Sequence, residues 1–110
     1  MSVSIVVAPD TVTITGPESA RINETVTLQC KTSNSNPASS IQWLVGGRIL
    51  AAPDTRNTSS TEGGWITESK ISFNISATDR LKEVSCYATN FALSTTKVQT
   101  HNIKVLCKFN

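Results

Sequence analysis

Apolar and polar residues alternate with a period of two along most of this chain. In residues 24–32, ETVTLQCKT, the side chains of Val26, Leu28 and Cys30 fall on one face, and the Thr and Gln side chains between them fall on the other. A helix would instead repeat its apolar positions every three or four residues. Because no such stripe is longer than one turn here, the pattern predicts a chain of short β-strands.

Further runs of the same kind predict the remaining strands. Residues 2–7 and 11–15 predict an edge strand that is interrupted at Pro9, because proline has no N–H to donate to a neighbouring strand. The later strands are predicted to turn these residues inward: Ile41, Trp43 and Val45; Ile71, Phe73 and Ile75; Val84, Cys86 and Ala88; Ile103 and Val105. Seven or more short strands at regular spacing are typical of two packed antiparallel sheets.

Three stretches do not continue the alternation. Residues 16–23, GPESARIN, predict a turn, and residues 52–64, APDTRNTSSTEGG, predict a long polar connection between strands. In the last strand, counting back from Ile103 places His101 inward and Val98 outward, which predicts a bulge in that strand.

Two of the three cysteines fall at inward positions of their predicted strands. Cys30 and Cys86 are therefore placed for a disulfide between two packed sheets, with Trp43 inward on a strand between them. Such a bridge would constrain the unfolded chain by about 4 kcal/mol in the chain-entropy model. The alternative is a pair of free buried thiols in an intracellular protein.

Three Asn-x-Ser/Thr triplets favour an oxidising, extracellular location over the intracellular alternative. The triplets begin at Asn23, Asn57 and Asn74, and each is a predicted N-glycosylation site. Asn23 and Asn74 are predicted on the sheet opposite Trp43, and Asn57 falls in the long polar connection.

The third cysteine, Cys107, follows the last inward positions of the final strand. We expect it to be unpaired or to bond with a cysteine outside this sequence.

Length and charge limit the kinds of protein this chain can be. Its 110 residues predict a single domain over 1–110, with 1–8 and 106–110 as edges toward neighbouring domains. The net charge of +2 is spread along the chain, so we expect no nucleic-acid partner and no direct contact with a membrane. Because no signal peptide follows Met1, we expect a fragment of a longer protein.

The sequence contains no pattern typical of catalysis or metal binding. It has one histidine, His101, and no HExxH, CxxC or paired carboxylates. Asp10, Asp54 and Asp79 fall in separate predicted turns, where aspartate is common for local reasons. We therefore expect a protein that is not an enzyme, with no catalytic residue, no cofactor and no metal.

Four segments resemble the immunoglobulin superfamily and occur in its order along nearly the whole chain: VTLQC, IQW, ISFNI and VSCYATN. The resemblance implies an all-β, immunoglobulin-like β-sandwich with Trp43 packed on a Cys30–Cys86 disulfide. The tyrosine that is usual two residues before the second cysteine is Val84 here. This departure, and the compact stretch between Trp43 and Phe73, favour a constant or intermediate type of domain over a variable one.

Within that superfamily, SNSNPASSIQWLVGG, TITGPE and CYATN are similar to the nephrin group of cell-adhesion receptors. This resemblance implies an internal ectodomain domain of a single-pass plasma-membrane protein, acting mainly as a glycosylated spacer. The implied partners are cell-surface proteins of the immunoglobulin superfamily and adjacent immunoglobulin domains of the same chain.

A second hypothesis is that the domain itself binds a protein partner, homophilically or heterophilically. Leu44 and Tyr87 are predicted on one exposed sheet face, and an aliphatic beside an aromatic side chain suits a protein contact. The predicted contact residues are Gln42, Leu44, Tyr87, Thr89 and Phe91. Ordinary scatter of apolar surface residues is the alternative. A secreted decoy or enzyme accessory domain is disfavoured by the third cysteine.

Overall fold

A computed structural model of the chain describes residues 5–50, 54–76 and 81–106, and these ranges contain nine β-strands. The strands are β1 (Val12–Thr15), β2 (Ser19–Arg21), β3 (Thr25–Thr32), β4 (Ser40–Val45), β5 (Arg48–Leu50), β6 (Asp54–Ser59), β7 (Trp65–Asn74), β8 (Leu81–Asn90) and β9 (Thr95–Leu106).

The strands form two sheets that pack face to face. One sheet has the order β1-β3-β7-β6, and the other has the order β2-β9-β8-β4-β5. Neighbouring strands are antiparallel except for β2 and β9, which run parallel. This arrangement confirms the predicted all-β sandwich of two sheets.

The core between the sheets is built from the alternating positions. On β3 the side chains of Val26, Leu28 and Cys30 are buried and those between them are exposed or half-buried. The facing sheet contributes the fully buried Trp43 and Val84. Three predicted inward residues pack against the core while remaining partly exposed: Ile41, Val45 and Phe73.

Residues 16–23 are not simply a turn, because they contain β2. This short strand pairs with the end of β9, and Ala20 lies opposite Val105. Ala20 is the only buried residue of the three. Because β2 has three residues and only one small apolar side chain, it shows no alternation of apolar and polar positions. The sequence therefore predicted only a turn.

The prediction of a long polar connection over residues 52–64 was also wrong in part. Residues Asp54–Ser59 form β6, which pairs with β7 along its whole length. All six residues are exposed, because β6 is the edge strand of its sheet. An edge strand that buries no side chain carries no apolar pattern, so it resembles a loop in the sequence.

The bulge predicted in the last strand is absent from the register of β8 and β9. Pairing runs without interruption from Leu81 opposite Lys104 to Asn90 opposite Thr95. His101 is half-buried, and its Nε2 lies 2.8 Å from the carbonyl oxygen of Pro17. Val98 lies on the outer face in the same regular strand, so its outward position needed no bulge.

Candidate protein-contact surfaces

The two sheets are joined at one point by a covalent bond and a hydrogen bond. Cys30 of β3 forms a disulfide with Cys86 of β8, which confirms the predicted inter-sheet bridge. Beside it, the indole Nε1 of Trp43 donates a hydrogen bond of 2.8 Å to the Oγ of Ser69. Cys30 lies opposite Ser69 in one sheet, and Trp43 lies opposite Cys86 in the other. These four residues, the inter-sheet square, fix which sides of β4 and β8 face outward.

The predicted contact residues of β4 and β8 do lie on the outer face of the five-stranded sheet. Gln42 is directly opposite Tyr87, and Leu44 is opposite Ser85. Leu44 and Tyr87 are therefore diagonal neighbours, and both side chains are half-buried. Diagonal neighbours on one sheet face are within reach of long and aromatic side chains.

Two exposed apolar residues that the sequence interpretation left out extend this face. Ile49 of β5 lies opposite Leu44 and is 65% exposed, and Val98 of β9 lies opposite Tyr87 and is 48% exposed. Ile49, Leu44, Tyr87 and Val98 form what we call the outer row. The three residues of β5 are too few to show a period, whereas the outward position of Val98 was visible but was attributed to a bulge.

The surroundings of the outer row are mostly polar, and the exposed Glu83, a diagonal neighbour of Leu44 on β8, adds a negative charge. On β8 and β9, hydroxyl pairs flank Tyr87 and Val98: Ser85 with Thr100 and Thr89 with Thr96, each 3.0 Å apart. The residues on β4 that face the same way are Ser40, Gln42 and Leu44.

A shallow groove of about 330 Å³ lies beside the outer row. Its apolar lining comes from Ile41, Ile49, Leu50 and Phe91, and its polar lining comes from Ser40, Gln42 and Thr89. The structure thus brings Gln42, Thr89 and Phe91 together around the groove, with Leu44 and Tyr87 on the adjoining face.

A second candidate surface lies at the end of the sandwich where the described chain begins. There the fully buried Asn90 donates from Nδ2 to the carbonyl oxygens of Val7, at 2.8 Å, and Asn36, at 3.3 Å. The same amide nitrogen lies 3.2 Å from the Oγ of Ser35, and the Oδ1 of Asn90 accepts from the N–H of Leu93. Asn90 therefore connects three segments that are distant in sequence.

Exposed apolar residues surround this buried amide. Phe91 follows Asn90 directly and is 73% exposed. The other exposed apolar residues are bonded to the hydrogen-bond partners of Asn90 or lie next to them in the chain. Trp65, for example, pairs with Ser35. We call these residues, with Asn90, the Asn90 pole: Ile5, Val6, Trp65, Phe91 and Leu93. The sequence interpretation missed all but Phe91, because their proximity depends on the fold.

The outer face of the four-stranded sheet is polar and charged, in contrast to the outer row. Lys31 forms an ion pair of 3.7 Å with Glu68, which also accepts a hydrogen bond from Gln29. In the same sheet Asp54 lies opposite Lys70, and Arg56 lies opposite Glu68. Alternating charges of this kind favour hydration over protein contact.

The three predicted glycosylation sites occupy different positions in and beside the four-stranded sheet. Asn23 is exposed in a turn with φ of 70°, and Asn74 is exposed near the end of β7, where its Oδ1 accepts from Thr25. Asn57 lies in the middle of the edge strand β6, and its Oδ1 accepts from the Oγ1 of Thr67. Sugar attachment stays a prediction at all three.

No metal centre is formed by the part of the chain that the structure describes. Within residues 5–50, 54–76 and 81–106, no three His, Cys, Asp or Glu side chains are grouped so that they could hold an ion. The same ranges hold no helix long and apolar enough to cross a membrane. Asp10 and Asp54 lie far apart in sequence on separate segments, whereas Asp79 and Cys107 lie outside the described residues.

Three observations indicate the same class of protein, an immunoglobulin domain. They are the sheet order, the disulfide over Trp43 and the match to a family model. The model of the CD80-like C2-set immunoglobulin domain matches residues 6–97. The chain belongs to this family of immunoglobulin domains.

Over the aligned residues, the sequence relatives are about a third identical to the chain. It is 31% identical to rat nephrin over 94 residues, covering 86% of this chain and 8% of nephrin. It is 30% identical to cell adhesion molecule 3 of Xenopus laevis over 109 residues, covering 96% of this chain and 28% of that protein. The chain therefore spans less than a third of these curated relatives.

Solved structures with the same fold include chains longer than this one. The full ectodomain of mouse nectin-like molecule 4, Ig1–Ig3, superposes with a TM-score of 0.81 at 24% identity, over 94% of this chain and 36% of that one. Rst D1-D2 gives a TM-score of 0.81 at 21% identity, over 92% of this chain and 51% of that one. At these identities the likeness establishes the fold.

The hydrogen bond of the inter-sheet square gives a direct stability test. Replacing Ser69 with Ala leaves the indole N–H of Trp43 without its acceptor in the core, which is expected to lower the free energy of unfolding by about 1–3 kcal/mol. Urea unfolding followed by tryptophan fluorescence measures the change.

Ser72→Ala is the matched control, because Ser72 lies on the exposed face of the same strand. Its hydroxyl contacts Thr27 in water-accessible surroundings. Equal effects of the two substitutions would contradict a special contribution from the Trp43–Ser69 hydrogen bond.

Proposed function

We propose that this chain is one extracellular domain of a nephrin-like, single-pass cell-adhesion receptor, in which it acts mainly as a glycosylated spacer. The family match, the relatedness to rat nephrin and the relatedness to cell adhesion molecule 3 support this proposal. The domain extends over residues 1–110, with 1–8 and 106–110 as its edges toward neighbours. Its partners are adjacent immunoglobulin domains of the same chain and cell-surface proteins of the same superfamily.

The observation that carries the spacer proposal is the attachment of the first described segment to the Asn90 pole. Val7 and Asn36 exchange two backbone hydrogen bonds of 2.8 Å, and the Nδ2 of Asn90 donates to both carbonyl oxygens. A segment whose N–H and carbonyl are both bonded in this way enters the domain in one direction. A neighbouring domain joined through it would be held at a defined angle, which is what a spacer requires.

The exposed apolar side chains of the pole support the same proposal. Phe91, Leu93 and Trp65 present apolar surface next to the entering segment. A domain that precedes this one would cover them, since interfaces between domains of one chain bury this kind of mixed surface. The role is one of architecture and recognition, with no catalytic step.

The side chain of Asn90 provides a test of the spacer mechanism. In Asn90→Ala the Val7 and Asn36 carbonyls lose a donor while each keeps its backbone partner, and Ser35 and Leu93 lose their bonds to the same side chain. Hydrogen exchange of the Val7 and Asn36 amides is expected to accelerate about fivefold, the factor for a loss of about 1 kcal/mol. The Leu28 amide in the core serves as the internal reference.

Thr89→Ala is the control variant, because Thr89 lies one residue earlier and faces the outer sheet surface. It should leave exchange at Val7 and Asn36 unchanged. If Asn90→Ala also left both amides unchanged, the entering segment would not depend on this side chain.

The second candidate function is direct binding of a protein partner through the outer row. The exposure of Ile49 and Val98 on either side of Leu44 and Tyr87 favours it, because four apolar residues on one sheet face make a larger contact than the two predicted from the sequence. The hydroxyl and amide side chains around the outer row permit homophilic as well as heterophilic contact.

Bead aggregation separates the spacer role from homophilic binding through the outer row. Beads coated with the glycosylated chain alone are expected to stay dispersed if it is a spacer, since the outer row would not join two beads. Aggregation that is abolished by Leu44→Asp and by Ile49→Asp would instead establish the binding function. Ser72→Asp, on the outer face of the other sheet, introduces the same charge as a control.

A further inference from the structure

Within residues 5–50, 54–76 and 81–106, no strand pairs with the outer side of the edge strand β6. It is hydrogen-bonded to β7 on one side, and it is the last strand in the order of its sheet. All six of its residues are exposed, and none is proline or glycine. Free N–H and C=O groups along such an edge are a template for pairing with another chain.

The side chains of β6 alternate between the two faces of its sheet. Residues directly opposite each other in an antiparallel pair lie on the same face, so Thr55 and Asn57 share the inner face with the fully buried Ser69 and Thr67. Thr67 donates from Oγ1 to the Oδ1 of Asn57 at 2.8 Å. This bond fixes the Asn57 side chain through its oxygen, whereas the nitrogen is the atom to which a sugar attaches.

A second copy of the chain fits this edge by charge and by register. When two copies of β6 pair antiparallel about Asn57, Thr55 lies opposite Ser59 and Arg56 lies opposite Thr58. The two Asn57 residues face each other at the centre, and no like charges meet. A two-fold pairing of this type therefore has no electrostatic obstacle.

We propose that Asn57 carries an N-linked glycan that blocks pairing of β6 with a second copy of the chain. The proposal rests on the extracellular location proposed above. In the transfer, the side-chain nitrogen of Asn57 bonds to the anomeric carbon of a lipid-pyrophosphate-linked oligosaccharide. The carbon–oxygen bond to pyrophosphate breaks, and the amide nitrogen loses one proton. A sugar at this position lies at the centre of the paired edge.

The other two acceptor sites do not protect this edge. Asn74 lies four residues beyond Lys70, the partner of the first residue of β6, and it pairs with Thr25 on β3. Asn23 is in the turn before β3. Sugars at Asn23 and Asn74 therefore lie toward the far end of β7, which leaves protection of β6 to Asn57.

Production of the full chain in mammalian secretory cells tests the proposal. Glycopeptide mass analysis should find sugar on Asn57, and sedimentation velocity over a concentration series should give a monomer. Asn57→Gln and Ser59→Ala both remove the acceptor triplet, and Ser59→Ala retains the asparagine. Both variants are expected to form a species of twice the protein mass, with slowed hydrogen exchange in residues 54–59.

Two further variants separate edge pairing from a general effect of losing sugar. Thr58→Ala keeps the triplet and should stay glycosylated and monomeric. Asn57→Lys removes the sugar but places a charge on the inner face of the edge, which disfavours strand pairing, so it should stay monomeric without sugar. Circular dichroism and an intact Cys30–Cys86 bond establish that each variant is folded.

Two results would overturn the proposal. One is an unmodified Asn57 in a chain whose Asn23 and Asn74 carry sugar, which would leave the extracellular location standing. The other is a folded Asn57→Gln or Ser59→Ala variant that remains monomeric at every concentration. Absence of sugar at all three sites would count against both this proposal and the extracellular location on which it rests.

Discussion

The disulfide and the indole hydrogen bond of the inter-sheet square constrain the rest of the domain. Cys30–Cys86 and Trp43–Ser69 each join one sheet to the other, and the paired register of these residues places the two links side by side. With Trp43 and Cys86 turned inward, Leu44 and Tyr87 must turn outward, because neighbours along a strand face opposite sides. The outer row is thus a consequence of the core.

The domain presents three surfaces of different character. The outer face of the four-stranded sheet is charged, as in the pairing of Arg56 with Glu68, and is suited to water and sugar. The outer row is apolar and neutral, and the Asn90 pole is apolar around a buried amide. A spacer uses the pole to hold a neighbour, whereas a binding module uses the outer row. The two roles use separate residues, those of the Asn90 pole and those of the outer row, so one fold can support both.

The sequence was sufficient for the sandwich, the disulfide and the inward faces, because these follow from local alternation. It failed at β2 and β6, where one small buried residue or none leaves no pattern to detect. It placed Leu44 and Tyr87 on one face but missed Ile49, whose strand is too short to show a period. The Asn90 pole was not predictable, since Val7 and Asn90 are 83 residues apart and meet only in the folded chain.

The pairing of the cysteines tests the central claim of this account most directly. Proteolysis of the folded chain without reduction, followed by mass spectrometry, should recover the peptides of Cys30 and Cys86 joined to each other. The inter-sheet square, the outward position of Leu44 and Tyr87 and the division of the surfaces all depend on this bond. Recovery of Cys30 joined to Cys107, or of Cys30 and Cys86 as free thiols in folded protein, would contradict the account.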